Sequence, residues 1–159
     1  MGGLGFGATL RGVLAVVAEG TRVVVVEKLE AVIAIGRTHA ARLGTKSHAR
    51  CTRYARADVV DVIARERNAA ALRLDVDNDA GWASFRQNAR LYSESGLERA
   101  RAAPAPGRIF AVWSGYEEKA FIAALRVRLA PKSMPLRERG VVAARPTSPR
   151  AESVCGSRA

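Results

Sequence analysis

Three glycines at alternate positions, Gly3, Gly5 and Gly7, lead directly into a segment whose apolar residues have helical spacing. Glycine has no side chain, so a backbone rich in it can approach a ligand closely, and a helix that follows presents amide groups there. The pattern predicts a ligand-binding loop followed by a helix over Ala8–Ala18. A short glycine run at this place is also compatible with a flexible terminus.

The next segment, Thr21–Val26, is a β-branched run too apolar to be half-exposed, as buried parallel strands are, and it ends at Glu27. Strand-like and helical patterns then alternate along the chain, which favours an α/β fold with a mainly parallel sheet flanked by helices. We expect helices over Leu29–Leu43, Val59–Arg65, Ser93–Ala103 and Glu117–Val127, strands over Arg53–Ala57, Ala70–Leu74 and Ile109–Trp113, and a weak strand pair at Ser133–Leu136 and Val141–Ala144.

The length of 159 residues, 48% of them hydrophobic, suits one packed domain. We expect this domain to span residues 1–145. Beyond it the content of Pro, Ser, Arg and Gly predicts a disordered basic tail over 146–159. Pro104 is expected to end a helix, and Pro106 with Gly107 to form a turn.

The formal charge of +11 would favour an anionic partner such as nucleic acid. The basic residues are nearly all arginines scattered through every segment, without an aromatic–basic cluster, so a nucleic-acid interface is disfavoured.

Cys51 and Cys155 are too few and too far apart to indicate a disulfide framework or a metal site. Val23–Val26 is far too short to span a bilayer, and with no targeting segment in view we expect a cytoplasmic protein.

Acidic residues follow the predicted strands, where ligands bind in open parallel sheets. Glu27 lies about twenty residues after the glycines, a spacing suited to ribose hydroxyls. Asp58 could accept from an adenine amino group, and Asp75 with Asp77 could position or deprotonate an amine. Each also has a structural interpretation: Glu27 as an acid near a helix N-terminus, Asp58 as an N-cap, and the Asp75–Asn78 group as a turn.

Taken in order, these segments resemble the successive motifs of spermidine synthase-like proteins, within the class I S-adenosylmethionine-dependent methyltransferase superfamily. The resemblance covers roughly residues 2–127 and implies a Rossmann-like methyltransferase fold. It rests on Gly3–Arg11, Val23–Glu27, Asp58 and Asp75–Asn78, supported by Asn88–Ser93, Gly96-Leu97, Pro106-Gly107 and Ile109–Ser114.

By that resemblance Gly3, Gly5, Gly7 and Glu27 would hold the methionine-derived and ribose parts of S-adenosylmethionine or of its decarboxylated form. Asp58 would then hold the adenine, and Asp75 would face the reacting amine.

The sequence departs from the family in several places. Phe6 stands where aminopropyl transferases usually carry an acid inside the glycine loop, and Asp77-Asn78 replaces their second acid and proline. The family's first strand should precede the glycine loop, so we expect a member apparently truncated before that strand. Arg73 falls inside a presumed buried strand, where an unpaired charge would be costly.

Two classes of function follow. The first is a transferase that moves a methyl or aminopropyl group to a small amine acceptor, with Asp75 and Asp77 at the reacting end. The second is a non-catalytic remnant or a basic module that binds nucleic acid or protein. A homodimer stays open as an assembly, and the sequence does not decide whether the chain is an active enzyme.

Overall fold

The computed structural model describes residues 1–18, 20–40, 51–76, 88–113, 119–129, 132–135 and 140–144. Helices and strands alternate through most of this part of the chain. The helices are α1 (Ala8–Leu14), α2 (Glu30–Ala40), α3 (Val59–Arg65), α4 (Ala89–Tyr92), α5 (Glu94–Ala102) and α6 (Lys119–Leu129), and the strands are β1 (Val23–Glu27), β2 (Thr52–Arg56), β3 (Ala69–Leu74), β4 (Pro104–Trp113), β5 (Lys132–Pro135) and β6 (Gly140–Ala144).

Parallel pairs form the part of the sheet next to the glycine loop, where β1 pairs with β2 and β3 with β4. The last two strands form an antiparallel hairpin whose strand β6 lies beside β4. The predicted strand pair near the end of the domain is therefore confirmed. The α/β fold class is confirmed as well, with parallel strands flanked by helices.

Met1–Gly3 lie between β1 and β3, where the resemblance puts the first strand of the family. Gly2 forms parallel bridges to both Val26 and Leu74. Its N–H donates to the carbonyl of Arg73 at 2.8 Å, while the N–H of Gly3 donates to that of Val26 at 2.9 Å. These three residues thus connect the β1–β2 pair to the β3–β4 pair near the carboxyl ends of β1 and β3.

Buried side chains lie on both faces of β1, because its residues alternate between two apolar clusters. Val23 and Val25 pack with Leu4, Leu10 and Leu14 from the loop and α1. Val26 packs in the larger cluster, whose other members come from α3, β3, α4, α5, β4 and α6. A strand buried on both faces has no room for polar side chains, which explains the valine run.

Most boundaries agree with the sequence predictions to within two residues, and three features differ. Helix α1 ends at Leu14, four residues before Ala18. No helix was expected between Leu74 and Ser93, but the short helix α4 lies there and starts at Ala89. Strand β4 begins at Pro104, so Pro106 and Gly107 lie within a strand and not in a turn.

Strand β4 tolerates Pro104 because its pairing with β3 does not need the missing N–H. The N–H of Ala69 donates to the carbonyl of Ala103 at 3.1 Å. The register between the two strands then shifts between Ala69 and Ala71, so the irregular residues of β4 stay out of the regular ladder. Pro104 does follow the end of a helix as expected, but Pro106 and Gly107, expected to form a turn, belong to an irregular strand start.

The proposed tail over 146–159 lies outside the described residues, as does Cys155. Cys51 is a half-buried free cysteine. None of the helices in the described part of the chain is long and apolar enough to cross a membrane. The same residues contain no group of three or more His, Cys, Asp or Glu side chains that could hold a metal ion.

Candidate functional site

A cavity of about 280 Å³ opens at the ends of the parallel strands. This volume lies near the lower end of the range of roughly 300–1,000 Å³ that is usual for small-molecule sites. Five of the predicted site residues line it: Gly3, Gly5, Glu27, Asp58 and Asp75. Gly7 closes the same loop by donating its N–H to the carbonyl of Leu4 at 2.9 Å, but it is not among the lining residues.

The glycines at positions 3 and 5 serve different purposes. Gly3 has φ +85°, and a Cβ added there would lie 1.9 Å from the carbonyl oxygen of Asp75, so the loop and the end of β3 touch backbone to backbone. Gly5 has φ +50° and nothing within 4 Å of the place of its Cβ. The loop is therefore anchored at Gly3 and open to the cavity at Gly5.

Glu27 is held by three backbone amides. Its Oε2 accepts from the N–H of Leu4 at 3.1 Å, and its Oε1 accepts from those of Lys28 and Leu29 at 2.8 and 2.9 Å. A carboxylate has about four acceptor positions, so these three bonds fix its orientation and leave capacity at Oε2. One carboxylate thus ties the glycine loop to the end of β1 and can still accept a hydroxyl from a ligand.

Asp58 caps α3, as its structural interpretation from the sequence predicts. Its Oδ1 accepts from the N–H of Val60 at 2.9 Å. Its Oδ2 lies 3.3 Å from Lys28 Nζ and 3.7 Å from Arg90 Nη2. The side chain is only 14% exposed and lines the cavity, so the cap and a contact to a ligand are compatible.

Asp75 lies where β3 ends and is held mainly by side chains. Its Oδ2 accepts a short hydrogen bond from Thr9 Oγ1 in α1 and lies 4.0 Å from Arg73 Nη2. Arg73 Nη2 in turn donates to Thr9 Oγ1 at 3.4 Å. The expectation that Arg73 is an unpaired buried charge is therefore wrong: its side chain is 33% exposed and faces a carboxylate.

Among the lining residues that were not singled out as site residues from the sequence are Lys28, Leu29, Val32 and Asn88. The first three come within five residues after Glu27. Their position directly after an acid at a strand end was therefore a sequence signal that could have identified them. Asn88 is 8% exposed and comes from a distant segment that only the tertiary structure brings here. Asp77 and Asn78, the other half of the predicted acidic group, lie outside the described residues.

Comparison with known proteins finds similarity at the level of structure. No family model matches the chain, and no curated protein matches it in sequence. Human Methyltransferase-like protein 13, solved in complex with SAH, is similar with a TM-score of 0.73 and 14% identity, over 96% of this chain and 73% of its own.

Two bacterial structures give the same picture. The SAM-dependent O-methyltransferase of Thermotoga maritima is similar with a TM-score of 0.65 and 16% identity, over 94% of this chain and 59% of its own. The putative rRNA-methylase of Clostridium thermocellum has a TM-score of 0.65 and 12% identity, over 92% of this chain and 84% of its own. At such identities the likeness establishes the fold: this chain has the Rossmann-like α/β fold that these methyltransferase structures share.

Proposed function

We propose that the chain binds S-adenosylmethionine in the cavity at the ends of β1, β2 and β3 and transfers its methyl group to a small acceptor. The observation that carries the proposal is Glu27, which lines the cavity beside an open glycine backbone and keeps acceptor capacity at Oε2 after three backbone hydrogen bonds. Human Methyltransferase-like protein 13, whose structure is similar to this chain, was solved with SAH, the product that S-adenosylmethionine leaves after methyl transfer.

The residues present fit the parts of such a donor. The remaining position on Glu27 suits a ribose hydroxyl. Leu29 and Val32 give apolar lining to the cavity that Asp58 also lines, which suits an adenine ring with a carboxylate at its amino edge. Gly5, with open space at its Cβ position, lets the rest of the donor pass close to the backbone.

When bound, S-adenosylmethionine supplies a methyl group activated by its positive sulfur. The acceptor's lone pair forms the new bond to this methyl carbon as the carbon–sulfur bond breaks, the bonding pair returns to sulfur, and the acceptor loses one proton to water or to a carboxylate at the cavity. The chain contributes mainly by holding the donor in line with the acceptor. An amine as the acceptor stays a prediction from the sequence.

Methyl transfer is chosen over aminopropyl transfer for two reasons. The three solved structures compared with this chain above are methyltransferases by name. Phe6, which is 90% exposed in the glycine loop, stands where the resemblance would put an acid for the aminopropyl donor. The narrower resemblance to spermidine synthase-like proteins stays a prediction, as do a homodimer and a cytoplasmic location.

Calorimetric titration of S-adenosylmethionine into the purified chain tests the proposal. We expect micromolar binding, weakened at least about tenfold in Glu27→Ala because one ribose contact and the loop anchor are lost. Glu30→Ala is the matched control, since Glu30 is an exposed acid at the start of α2 that only approaches Arg56 at 3.8 Å, and it should bind like the wild type. A folded wild type that gives no heat, or a Glu27→Ala variant that binds equally well, would overturn the proposal.

A further inference from the structure

We infer that Arg73, together with Asp75, recognises the amino-acid end of the donor, and that Arg73 makes the site prefer S-adenosylmethionine over its decarboxylated form. This inference rests on the proposed function and deepens it. It gives Arg73, an apparent misfit in the sequence, a role in specificity. It also changes the role of Asp75 from contact with the reacting amine to anchoring of the donor.

The order of the strands sets the order of the acids along the cavity. Met1–Gly3 lie between β1 and β3, and β2 lies on the other side of β1. The strand ends therefore present Asp58, Glu27, the glycine loop and Asp75 in a row. Neighbouring strands are about 4.8 Å apart, so Glu27 and Asp75 belong to strands about 10 Å apart.

The donor has the same order of parts: adenine, ribose, sulfonium and amino acid. If Asp58 and Glu27 take the first two, the chain of atoms beyond the ribose runs over the open backbone of Gly5 toward Asp75. Asp75 lines this end of the cavity. The amino-acid end of the donor thus arrives where Thr9, Arg73 and Asp75 meet.

The charges there complement an amino acid. S-adenosylmethionine ends in an ammonium and a carboxylate, whereas the decarboxylated donor ends in the ammonium alone. Asp75 can accept from the ammonium, and the guanidinium of Arg73 can donate to the carboxylate. An arginine fork can serve two oxygen partners at once, so Arg73 need not release Asp75 to bind the ligand.

Arg73 has donors to spare. Its Nη2 reaches Thr9 and lies at the outer limit of an ion pair with Asp75, while its buried Nε has no hydrogen-bond partner among the described residues. A buried donor without a partner costs free energy. The protein alone therefore leaves the guanidinium incompletely bonded. The side chain is one third exposed, and although Arg73 is not itself a lining residue, its Nη2 lies 4.0 Å from the carboxylate of Asp75, which lines the cavity.

Paired calorimetric titrations with S-adenosylmethionine and its decarboxylated form test the inference. The wild type should bind S-adenosylmethionine at least about tenfold more tightly. Arg73→Met keeps an unbranched stem but removes the charge, and it should lose that preference by weakening only the binding of S-adenosylmethionine. Arg73→Lys should keep part of the preference, because it retains the charge without the fork. Arg11→Met, which removes an exposed arginine of α1, is the control and should bind both donors like the wild type.

Equal binding of both donors by the wild type, or equal weakening of both in Arg73→Met, would overturn the inference and leave the proposed function standing. A folded wild type that binds neither donor would overturn the proposed function itself. Circular dichroism melts of each variant separate a loss of folding from a loss of recognition. If Arg73→Met does not fold, the Arg73→Lys variant and the wild-type preference still decide the outcome.

Discussion

The two ends of the cavity are built in different ways. Around Glu27 the carboxylate is met by three backbone N–H groups, one of them from Leu4 in the glycine loop. Around Asp75 the carboxylate is met by the side chains of Thr9 and Arg73. Backbone contacts depend on the fold and only weakly on which side chains surround them, whereas the contacts at Asp75 depend on the particular residues of this chain. We therefore expect the Glu27 end to carry the general function and the Asp75 end its specificity.

The largest expected effect comes from breaking the backbone contact between the loop and β3. Gly3→Ala should lower the free energy of unfolding by at least about 3 kcal/mol, because its Cβ would overlap the Asp75 carbonyl and its φ is positive. Gly5→Ala shares the positive φ but meets open space, so it should cost only about 1–2 kcal/mol. Urea unfolding of both variants measures the difference, and equal losses would show that the close contact does not matter.

Asp58 makes both backbone and side-chain contacts. It accepts from a backbone N–H as the cap of α3, and it pairs with the side chains of Lys28 and Arg90. Asp58→Ala should lower stability by about 1 kcal/mol through loss of the cap. Asp58→Asn keeps an oxygen for the N–H of Val60 and should lose less. Thermal melts of the two variants compare them, and an equal loss in both would mean that the ion pairs, and not the cap, stabilise α3.

Part of the fold and of the site was predictable from the sequence alone. The strands, the glycine loop and the acids at strand ends were predictable because they depend on local periodicity and spacing. The pairing of Arg73 was not, since Thr9 and Asp75 are 66 residues apart in sequence and meet only because the fold brings the start of α1 to the end of β3. The extension of β4 back to Pro104 was equally hidden, because a register shift places the proline where no N–H is needed.

Thr9→Val tests the Asp75 end of the cavity, where the carboxylate is held by side chains. The substitution keeps the shape of the residue but removes the hydroxyl that links Asp75 to Arg73, so stability should fall by about 1 kcal/mol or less. The binding of S-adenosylmethionine should weaken more than the stability suggests, because Asp75 and Arg73 lose their common partner. A loss as large as that of Gly3→Ala in the same urea series would contradict the distinction between the two ends.

The smallest effect on stability is expected at Tyr54, which lies in β2 opposite Val25 of β1. Its hydroxyl is buried without a hydrogen-bond partner among the described residues, and burial raises the pKa of Tyr54 above its ordinary value of 10.0, although Arg37 opposes this. Tyr54→Phe should therefore change stability by less than about 1 kcal/mol at neutral pH.

The pH dependence gives a sharper test at the same position. Because the folded state favours the neutral phenol, the stability that Tyr54 contributes is present below pH 10.0 and is lost as the pH rises from there toward the raised pKa. Above pH 10.0 the melting temperature of the wild type should therefore fall relative to that of Tyr54→Phe. A difference that stays constant through this range would show that the folded state does not favour the neutral phenol.

Chemical-shift mapping by NMR tests the central claim most directly, that the cavity beside Glu27 is the site of the donor. SAH is titrated into the ¹⁵N-labelled chain while the amide signals are followed. We predict the largest changes at Leu4, Lys28 and Leu29, whose N–H groups bond to the Glu27 carboxylate, with changes at Gly5 beside them. Changes confined to the β5–β6 hairpin, or none at saturating ligand in a folded sample, would contradict the account.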